Sequence, residues 1–594
     1  MSKPETKTCQ NCKIKFKIEP EDFEFYKKIG VPAPTFCPEC RMIRRFVWRN
    51  QRNIYKRKCD FSKKEIFSLY SSELPIKVYD SSIWNSDDWD SMDYGQDYDF
   101  NKSFLEQFNQ LRREVPYSSG FVIDMVNSDY CANAGKLKNC YLVFEANYCE
   151  DSAYCVEMAY SKDCYDSSHL VKCELCYEIF LSSGCYKTFF SADCTDCQEV
   201  FFSFHCINCS NCFGCVNLRH KKYHIFNKPY SREEYFKKLE EFDIGSYQNV
   251  LSFLKRANKF HLRFPNKFIH GQKNVDVTGD DIYNSKNVLE SYGIQDGEDL
   301  KYCQFVSFRP GAKNCYDYSI WGENANLIYE NVSSGDGIHK LKFCFGCDAD
   351  CRDFEYCMEC FSSSNLFGCV GLRHKHYCIL NKQYTKQSFN KLRIKIIKHM
   401  DEMPYIDKKK RVYKYGEFFP PEMSPFGYNE TIVNEYFPLT KEQAIKQGYS
   451  WYNKPKAEYK ATVKAKDLPD NIKDIDNKIL KEVIACGNCH SRESGNPVFN
   501  NSGSPIKLGM TSCTGSGVFR IIPNELKFYQ KQNLPLPRLC PDCRHQERIK
   551  QRNPLKLWHC QCMKKGCPNK FMTSYAPDRP EIVYCEECYN KEVG

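Results

Sequence analysis

The sequence predicts a mainly β protein in which two parallel β-solenoids with capping helices lie between small cysteine-knuckle modules at the two ends. Three observations lead to this fold class. From position 131 to 217, cysteines recur in evenly spaced triplets that restart at a constant interval, at Cys155, Cys176 and Cys197. Such an interval is typical of stacked coils and is too short for a pair of helices. The closing motif LRHKKY, from Leu218, returns as LRHKHY, from Leu372, and Cys-x-x-Cys pairs occur near both termini.

The motifs divide the 594-residue chain into seven parts. They are a cysteine-knuckle module at 1–100, a helical lead-in at 101–130, the first solenoid at 131–230, a capping helix and connection at 231–270, the second solenoid at 271–384, a helix and linker at 385–485, and a second cysteine-knuckle module at 486–594. The chain has no apolar stretch long enough for a transmembrane helix, and its N-terminus lacks an apolar signal-peptide core. We therefore expect a cytoplasmic protein whose 38 cysteines are thiols or metal ligands.

The N-terminal module contains two knuckles whose spacing is a strong signal for structural zinc. The four ligands are expected to be Cys9, Cys12, Cys37 and Cys40. A knuckle followed by a knuckle on a helix suggests a treble clef or zinc ribbon. The helix after the second knuckle is basic, and its arginines either contact nucleic-acid phosphate or form a solvated face. These arginines are Arg41, Arg44, Arg45, Arg49 and Arg52.

The cysteines of the first solenoid are expected to form an interior column. Cysteine packs as a small hydrophobe, whereas a column of parallel thiols does not present four ligands to one zinc ion. We therefore predict buried, free thiols. Glu157, Glu178 and Glu199 recur at the same interval as the cysteine triplets. This acidic ladder either binds a cation or polar ligand or lines a solvated corner.

The second solenoid is expected to be less regular, with longer coils around Trp321. Helical patterns follow both solenoids: Ser231 and Glu234 form a capping box after the first, and residues 386–402 follow the second. Helices at these places are expected to cap the open ends and prevent edge-to-edge pairing.

The C-terminal module repeats the N-terminal plan and adds a further site. The residues expected to bind metal there are Cys486, Cys489, Cys540 and Cys543 in one site and Cys562, Cys567, Cys585 and Cys588 in the other. Cys560 is an alternative to Cys562. Residues 490–515 are interpreted as a Ser-, Gly- and Asn-rich insertion in which Cys513 is a competing thiol. Arg544, Arg548 and Arg552 follow the knuckle as possible nucleic-acid contacts, as in the first module.

The N-terminal module is also expected to contain a degenerate copy of that further site. SLYSSELPIKVYDSSIW, from Ser68, aligns without gaps with TSYAPDRPEIVYCEECY, from Thr573. Ser62, Asp80 and Ile83 then stand opposite cysteines, and Cys59 alone remains. We therefore expect three zinc ions rather than four. Each Cys₄ site with its zinc carries a net charge of −2, so three of them reduce the formal charge of +10 to about +4, which is poor evidence for nucleic acid.

Several motifs together resemble a family of uncharacterised, cysteine-rich zinc-ribbon and β-solenoid proteins from candidate-phyla bacteria (Patescibacteria). The matching stretches are TFCPECR, SPFGYNE, LPLPRLCPDCRH, TSYAPDRPEIVYCEECY and the paired LRHKKY and LRHKHY endings. The resemblance covers nearly the whole chain and implies zinc binding, but it implies little about activity. Some relatives carry a CaiB/BaiF acyl-CoA transferase label. This sequence has no α/β pattern and no nucleophile in a suitable setting to support that label.

Three functions remain open at this level. The first is a non-enzymatic zinc-binding scaffold that presents solenoid surfaces and basic zinc modules to a macromolecule, either protein or nucleic acid, without a membrane. The second is a β-helix enzyme that acts on polysaccharide through the acidic ladder, against which the lack of an export signal counts. The third is thiol-based metal storage or redox chemistry, for which the regular cysteine spacing is unfavourable. We expect that the protein is not an enzyme.

Overall fold

The computed structural model describes residues 3–454, 459–489 and 515–593, and it is rich in β-sheet. Cys513 and all but the last residue of the predicted insertion lie outside these ranges. Within them, no helix is long and apolar enough to cross a membrane.

The N-terminal module consists of short antiparallel hairpins, each followed by a helix or a short strand. Its elements are β1 (Glu5–Thr8), β2 (Lys15–Ile18), α1 (Pro20–Ile29), α2 (Pro38–Phe46), β3 (Tyr55–Lys58), β4 (Glu65–Ser68), β5 (Val78–Tyr79) and α3 (Ser81–Trp84). The lead-in that follows contains α4 (Phe104–Glu114) and β6 (Tyr117–Ser118).

Parallel strands then stack in order along the chain and form what we call the first ladder, residues 122–229. Its strands are β7 (Val122–Ile123), β8 (Ala132–Lys138), β9 (Phe144–Glu150), β10 (Val156–Ala159), β11 (Ser168–Val171), β12 (Phe180–Ser183), β13 (Gln198–Phe201), β14 (Ser210–Phe213), β15 (Lys222–Ile225) and β16 (Lys228–Pro229). Paired positions are 12 apart, as in Phe144, Val156, Ser168 and Phe180. The cysteine spacing predicts instead that one coil runs from Cys155 to Cys176, and that prediction is wrong.

The pattern that the cysteines obey has a period of three. Between Met158 and Cys173 every third residue is buried, including Ser161, Ser167 and Leu170. The residue before each of these has a positive φ, as in the left-handed α region. A residue in this region turns the chain. Four runs of three residues therefore bring the chain back beside the residue 12 positions earlier, with which it pairs. The wider cysteine intervals arise because cysteine fills only some of the interior positions, while serine and aliphatic residues fill the others.

The interior polar groups are hydrogen-bonded within the ladder. The Cys155 sulfur lies 3.3 Å from the carbonyl oxygen of Ala153 and 3.4 Å from that of Cys164, and its single S–H has either one as acceptor. Interior serines act in a second way: the Ser152 hydroxyl donates to the carbonyl of Glu150 and accepts from the backbone N–H of Cys164. Because these groups have partners, small polar side chains are tolerated inside. The predicted burial of Cys164, Cys185 and Cys206 is confirmed.

The second ladder, residues 271–383, repeats this arrangement less regularly. Its strands are β18 (Gly271–Gln272), β19 (Val275–Tyr283), β20 (Lys286–Gln295), β21 (Glu298–Lys301), β22 (Gln304–Val306), β23 (Lys313–Trp321), β24 (Asn326–Ser334), β25 (His339–Lys342), β26 (Arg352–Glu355), β27 (Ser364–Phe367), β28 (His376–Ile379) and β29 (Lys382–Gln383). The register pairs Val306 with Trp321 and Trp321 with Ser334, and both steps are longer than those of the first ladder. The longer steps around Trp321 agree with the sequence.

Both ladders end in the same way. A short antiparallel return closes each last parallel strand, β15 with β16 and β28 with β29. The side chain of Asn227 bonds both the N–H and the carbonyl of Val216, and Asn381 does the same to Val370. Each amide thereby satisfies backbone groups that another strand would pair with, which blunts the sheet edge.

Helices follow the returns, as predicted. The first ladder is followed by α5 (Arg232–Phe242), which begins with the capping box of Ser231 and Glu234, and by α6 (Tyr247–His261). The second is followed by α7 (Lys386–Glu402), which has the predicted bounds. Tyr235 on α5 packs against Tyr223, and Phe389 on α7 packs against Tyr377, with ring centroids 5.8 Å apart in each case. The helices therefore cover equivalent ends.

The remaining elements connect the ladders to the C-terminal module. They are β17 (Pro265–Lys267), β30 (Tyr405–Ile406), β31 (Val412–Tyr413), α8 (Val433–Tyr436), α9 (Lys441–Lys446), β32 (Val463–Lys464), β33 (Ile484–Ala485), β34 (Val518–Phe519), α10 (Pro523–Gln532), α11 (Pro541–Ile549), β35 (Trp558–Gln561), β36 (Lys570–Thr573), β37 (Ile582–Tyr584) and α12 (Glu586–Val593).

Candidate metal centres and the arginine helices

The first candidate metal centre joins the β1–β2 turn to the start of α2. Cys9 directly follows β1, Cys12 lies in the turn, Cys37 is the N-cap of α2, and Cys40 lies in its first turn. Their four sulfurs lie within 4.8 Å of one another, with Cys12 and Cys37 sulfurs 3.7 Å apart. The Asn11 side chain donates to the Cys40 sulfur at 3.3 Å. A sulfur that accepts an N–H bond is favoured as a thiolate, the form that binds metal.

A second centre has the same construction in the C-terminal module. Cys562 follows β35, Cys567 lies in the turn before β36, Cys585 follows β37, and Cys588 lies on α12. These four sulfurs also lie within 4.8 Å of one another, and Cys567 and Cys585 sulfurs are 3.9 Å apart. Cys560, the alternative left open by the sequence, lies within β35 and is not a member of the group.

The third centre contains Cys486, Cys540 and Cys543. All three are buried, and the backbone N–H of Cys540 donates to the Cys486 sulfur at 3.3 Å. Cys489, the fourth predicted ligand, has no described side chain. The described residues thus contain three cysteine groups that are able to hold a metal ion, all at predicted positions. Cysteine sulfurs are the ligands that zinc and other soft or borderline ions prefer.

The degenerate site has the backbone of a metal centre but not its ligands. Cys59 follows β3 as Cys562 follows β35, and the Cys59 sulfur accepts from the N–H of Asp80 at 3.3 Å. The Cys562 sulfur accepts from the N–H of Cys585 at the same distance. Beside Cys59 the chain packs Trp84 with Ile83 and Trp89, the apolar contacts that the sequence suggested. The hairpin is therefore held by packing rather than by a full set of cysteines.

The arginines of α2 are buried against carboxylates of the second ladder. Asp317 receives Arg41 at 2.8 Å and Arg45 at 3.1 Å. Arg44 bonds Glu330 at 2.6 Å and Glu417 at 2.8 Å. Just beyond the helix, Arg49 pairs with Glu145 of the first ladder, and Arg52 lies 3.6 Å from Asp542.

The arginines of α11 make the matching contacts with the first ladder. Arg544 and Arg548 both bind the carboxylate of Asp166, and Arg548 also lies 3.4 Å from Glu178. Arg552, just beyond the helix, pairs with Glu435 at 3.2 Å.

This burial corrects the prediction that these arginines contact nucleic-acid phosphate. Arg41, Arg44, Arg45 and Arg548 are at most 2% exposed, and Arg49, Arg544 and Arg552 are also largely withdrawn from solvent by their ion pairs. A phosphate would have to displace buried carboxylates to reach them, at a large desolvation cost. The basic helices therefore dock on the ladders. Their acidic partners lie far along the chain, so the knuckle sequence alone does not reveal them.

The acidic ladder is likewise not a column. Because the register step is 12, Glu157, Glu178 and Glu199 do not stack on one another. Each pairs with a different cation: Glu157 with His169, Glu178 with Arg548, which it shares with Asp166, and Glu199 with Lys187 at 3.0 Å. These three glutamates therefore form neither a ligand-binding column nor a row of catalytic carboxylates.

Asp166 and Asp317 are the functional residues that the sequence reasoning missed. Each has a positive φ, which places it at a turning position of its ladder and leaves its carboxylate to receive two arginines. The signal that reveals such positions is the three-residue period, in which the turning residue precedes the buried one.

Each cysteine module docks its arginine helix on one ladder and pairs a strand with the segment just before the other ladder. In the N-terminal module β5 pairs with β6, just before the first ladder, while α2 docks on the second. In the C-terminal module β37 pairs with β17, just before the second ladder, while α11 docks on the first. Each module therefore bridges both ladders.

Comparisons with known proteins add no identity. No protein-family model matches the chain, and no curated protein matches it. Among solved structures, a "putative acetyltransferase" from Desulfovibrio desulfuricans G20 aligns at 11% sequence identity, over 49% of this chain and 86% of that chain, with a TM-score of 0.10. A likeness of that extent carries no argument about fold or function.

Proposed function

We propose that this chain is a non-enzymatic, zinc-stabilised scaffold whose two ladders are β-solenoids and whose surface binds a protein partner. The observation that carries the proposal is the bridging arrangement of the modules. Their cysteine groups fix the helices α2 and α11, and the arginines of those helices are paired with Asp317 and Asp166. A metal ion in such a group acts on structure because its ligands leave no position for substrate.

Zinc is the metal that we propose for the cysteine groups. A tetrahedron with Zn–S bonds of about 2.3 Å has S–S edges of about 3.8 Å. The sulfurs of Cys12 and Cys37 are 3.7 Å apart, and those of Cys567 and Cys585 are 3.9 Å apart. The sulfurs are thus spaced for an ion of this size. A bound zinc ion would cross-link a hairpin to a helix and so fix their relative position.

The β-solenoid interpretation is supported by the constant parallel register of the first ladder and its buried three-residue period. A repeat of this kind produces an extended outer surface, which repeat proteins use for binding. The arginines expected to meet phosphate are buried, so the observations favour a protein partner over nucleic acid.

One face of the first ladder is the best candidate for this contact. Ile123 and Val171 stand in one register column and are 66% and 45% exposed. In the next column, Tyr148 and Tyr160 are also exposed and stack with ring centroids 4.8 Å apart. Lys136 donates to the Tyr148 hydroxyl at 2.8 Å. Exposed aromatic rings with a polar tip are typical of interface anchors.

The test is capture of a partner from nuclease-treated native lysate by the immobilised full-length protein. We expect a stoichiometric protein that the Tyr148→Ser/Tyr160→Ser variant fails to retain. Tyr459→Ser is the matched control because Tyr459 is 70% exposed elsewhere in the chain. Equal capture by all three proteins, or capture that occurs from untreated lysate but not from nuclease-treated lysate, contradicts the proposal.

A further inference from the structure

A cavity of about 130 Å³ lies where the C-terminal module meets both ladders. Five parts of the chain line it: the first ladder around His169–His205, the end of α6 with the connection to His270, the start of the second ladder, α8 through Tyr436, and the C-terminal module. Its walls include four of the 13 histidines of the chain. This cavity goes beyond the proposed scaffold role, because neither docking nor the cysteine centres require it.

The cations of the cavity are already matched. Among the described residues that line it, each lysine, arginine or charged histidine has a carboxylate of its own. These pairs are His169 with Glu157, His270 with Asp280 at 2.9 Å, Arg552 with Glu435 at 3.2 Å, and Arg579 with Glu581. Each of these cations therefore forms its ion pair with a carboxylate other than Asp193 or Asp281.

Two carboxylates remain, those of Asp193 and Asp281. In the described part of the chain no lysine or arginine nitrogen lies within 4.0 Å of either, and the nearest ring nitrogen to Asp193 is His205 Nδ1 at 3.8 Å, too far for a hydrogen bond. Burial lowers the pKa of His205 and of His261, which keeps both rings neutral. The cavity therefore contains two carboxylates without a full counter-charge.

A buried amide provides a second, independent sign of a ligand. Asn266 is 2% exposed and lines the cavity, and its Oδ1 lies 3.1 Å from His261 Nε2. Its Nδ2 has no hydrogen-bond partner among the described residues. A buried amide N–H without an acceptor is costly, so a bound group with an oxygen acceptor would satisfy it.

The opposite wall is fixed by a hydrogen-bonded chain. Tyr575 O–H and His270 Nε2 are 3.2 Å apart, and His270 Nδ1 bonds Asp280, which also accepts from Ser574 and Asn553. These contacts hold the wall in place and consume Asp280. Aromatic rings of Phe180, Phe204, Tyr292, Phe305 and Tyr436 line the rest of the space.

We propose that this cavity binds a small organic cation that also carries an oxygen acceptor, such as a hydroxylated primary amine. The ammonium group supplies the counter-charge for Asp193 and Asp281, the oxygen accepts from Asn266, and the aromatic walls contact the carbon frame. The volume admits a ligand on the order of ten non-hydrogen atoms. A metal ion is the less favoured occupant, because the described residues bring three donor atoms within 4.8 Å only in the cysteine groups.

The test compares two molecules of nearly the same shape. Tris(hydroxymethyl)aminomethane is a hydroxylated cation at pH 7, and pentaerythritol replaces its ammonium with a neutral alcohol arm. Isothermal titration calorimetry on the full-length, metal-loaded protein is expected to show tighter binding of the cation, by about tenfold or more, because the alcohol leaves both carboxylates uncompensated. Equal affinity for the two molecules, or binding of neither, overturns the proposal.

Variants locate the site. Asp193→Asn and Asp281→Asn are expected to abolish the preference for the cation, whereas Asp87→Asn, at an exposed position, is expected to retain it. Cysteine-bound metal content, measured in the same samples, is expected to stay unchanged, which separates this site from the scaffold proposal. A preference that survives both cavity variants contradicts the assignment. So does displacement of the amine by Co²⁺ in a way that requires His205 and His261, which would make the cavity a metal site.

Discussion

The two arginine helices, α2 and α11, are equivalent along the sequence but dock on opposite ladders. Arg41 and Arg45 of α2 correspond to Arg544 and Arg548 of α11. Each pair converges on one aspartate at a turning position, Asp317 or Asp166. The shared element is thus two arginines on one carboxylate. Its repetition indicates that these residues serve the docking geometry rather than an exposed basic face.

The helices differ at the position between those arginines. Arg44 of α2 is buried and binds Glu330 and Glu417, whereas its counterpart in α11, Glu547, is exposed and lies 2.6 Å from Lys550. Glu417 belongs to the tract after the second ladder and also accepts from the N–H of Thr35. The N-terminal helix therefore has a third buried arginine with carboxylate partners at a position where the C-terminal helix has an exposed glutamate.

The modules differ again in the segment that follows the second strand of the hairpin, after β36 in one module and after β4 in the other. Tyr575, in the C-terminal module, contacts His270 at the cavity, whereas its counterpart Tyr70 bonds Glu359 in the packed core. Arg579 at the cavity corresponds to Leu74. One module thus closes a core and the other helps to line a cavity, although the hairpins share their backbone plan.

The largest expected effect is loss of a metal centre. We expect elemental analysis to give three zinc ions per chain, and replacement of Cys9, Cys12, Cys37 and Cys40 by serine to remove one of them and release α2. Structural zinc contributes about 10–16 kcal/mol of binding free energy, so the N-terminal module should become sensitive to protease. A wild-type chain with four zinc ions, the fourth of which persists in the variant, would refute the assignment of Cys59 as a degenerate site.

Replacing the shared arginines should destabilise both docking sites alike. Arg45→Met and Arg548→Met each leave a buried aspartate with one arginine fewer, at an expected cost of about 3–5 kcal/mol in the free energy of unfolding. Chemical denaturation measures this cost, and Arg113→Met at an exposed position is the control. The paired changes Arg45→Met/Asp317→Leu and Arg548→Met/Asp166→Leu should not recover the loss, because each also removes the aspartate that Arg41 or Arg544 binds. A loss of stability in only one of the two arginine variants would contradict the equivalence of the two docking sites.

Substitutions at the position where the two helices differ should have unequal effects on the free energy of unfolding. Arg44→Leu leaves Glu330 and Glu417 short of a cation and should cost several kcal/mol, about 3 or more. Glu547→Leu removes an exposed pair, which is typically worth about 0–1 kcal/mol. The same denaturation experiment compares the two variants. Similar losses would show that the buried cluster around Arg44 has no energetic role of its own.

The smallest expected effect is at the cavity, which the C-terminal module helps to line and the N-terminal module does not. Burial raises the pKa of Asp193 from 3.8 to about 6, so the folded state holds this proton more tightly than the unfolded state. Stability therefore falls as pH rises from about 4 to 6 and stays lower above that range. Asp193→Asn should match the wild type below pH 4 and exceed it by about 1–3 kcal/mol at pH 7. A pH-independent difference would contradict this account.

The sequence by itself located the cysteine groups that are able to hold a metal ion and the ends of the ladders. Cysteine knuckles, capping boxes and the bounds of α7 are local features, because a turn or a helix start positions its residues within a few positions of one another. The repeat was also visible, but its step was not. Cysteine occupies only part of the interior, so its regular spacing concealed both the three-residue period and the shorter register step of the strands.

Only the tertiary structure decided which charged side chains pair with one another. The Asp317 carboxylate that pairs with Arg45 is separated from it by 272 positions of the chain. An arginine beside a cysteine knuckle looks the same in sequence whether it contacts phosphate or a carboxylate. The cavity depends in the same way on five distant segments. Ion pairing and desolvation act through space, and no local pattern encodes them. Local sequence therefore determined the frame of each module, and the packing of module on ladder determined which polar groups remain available.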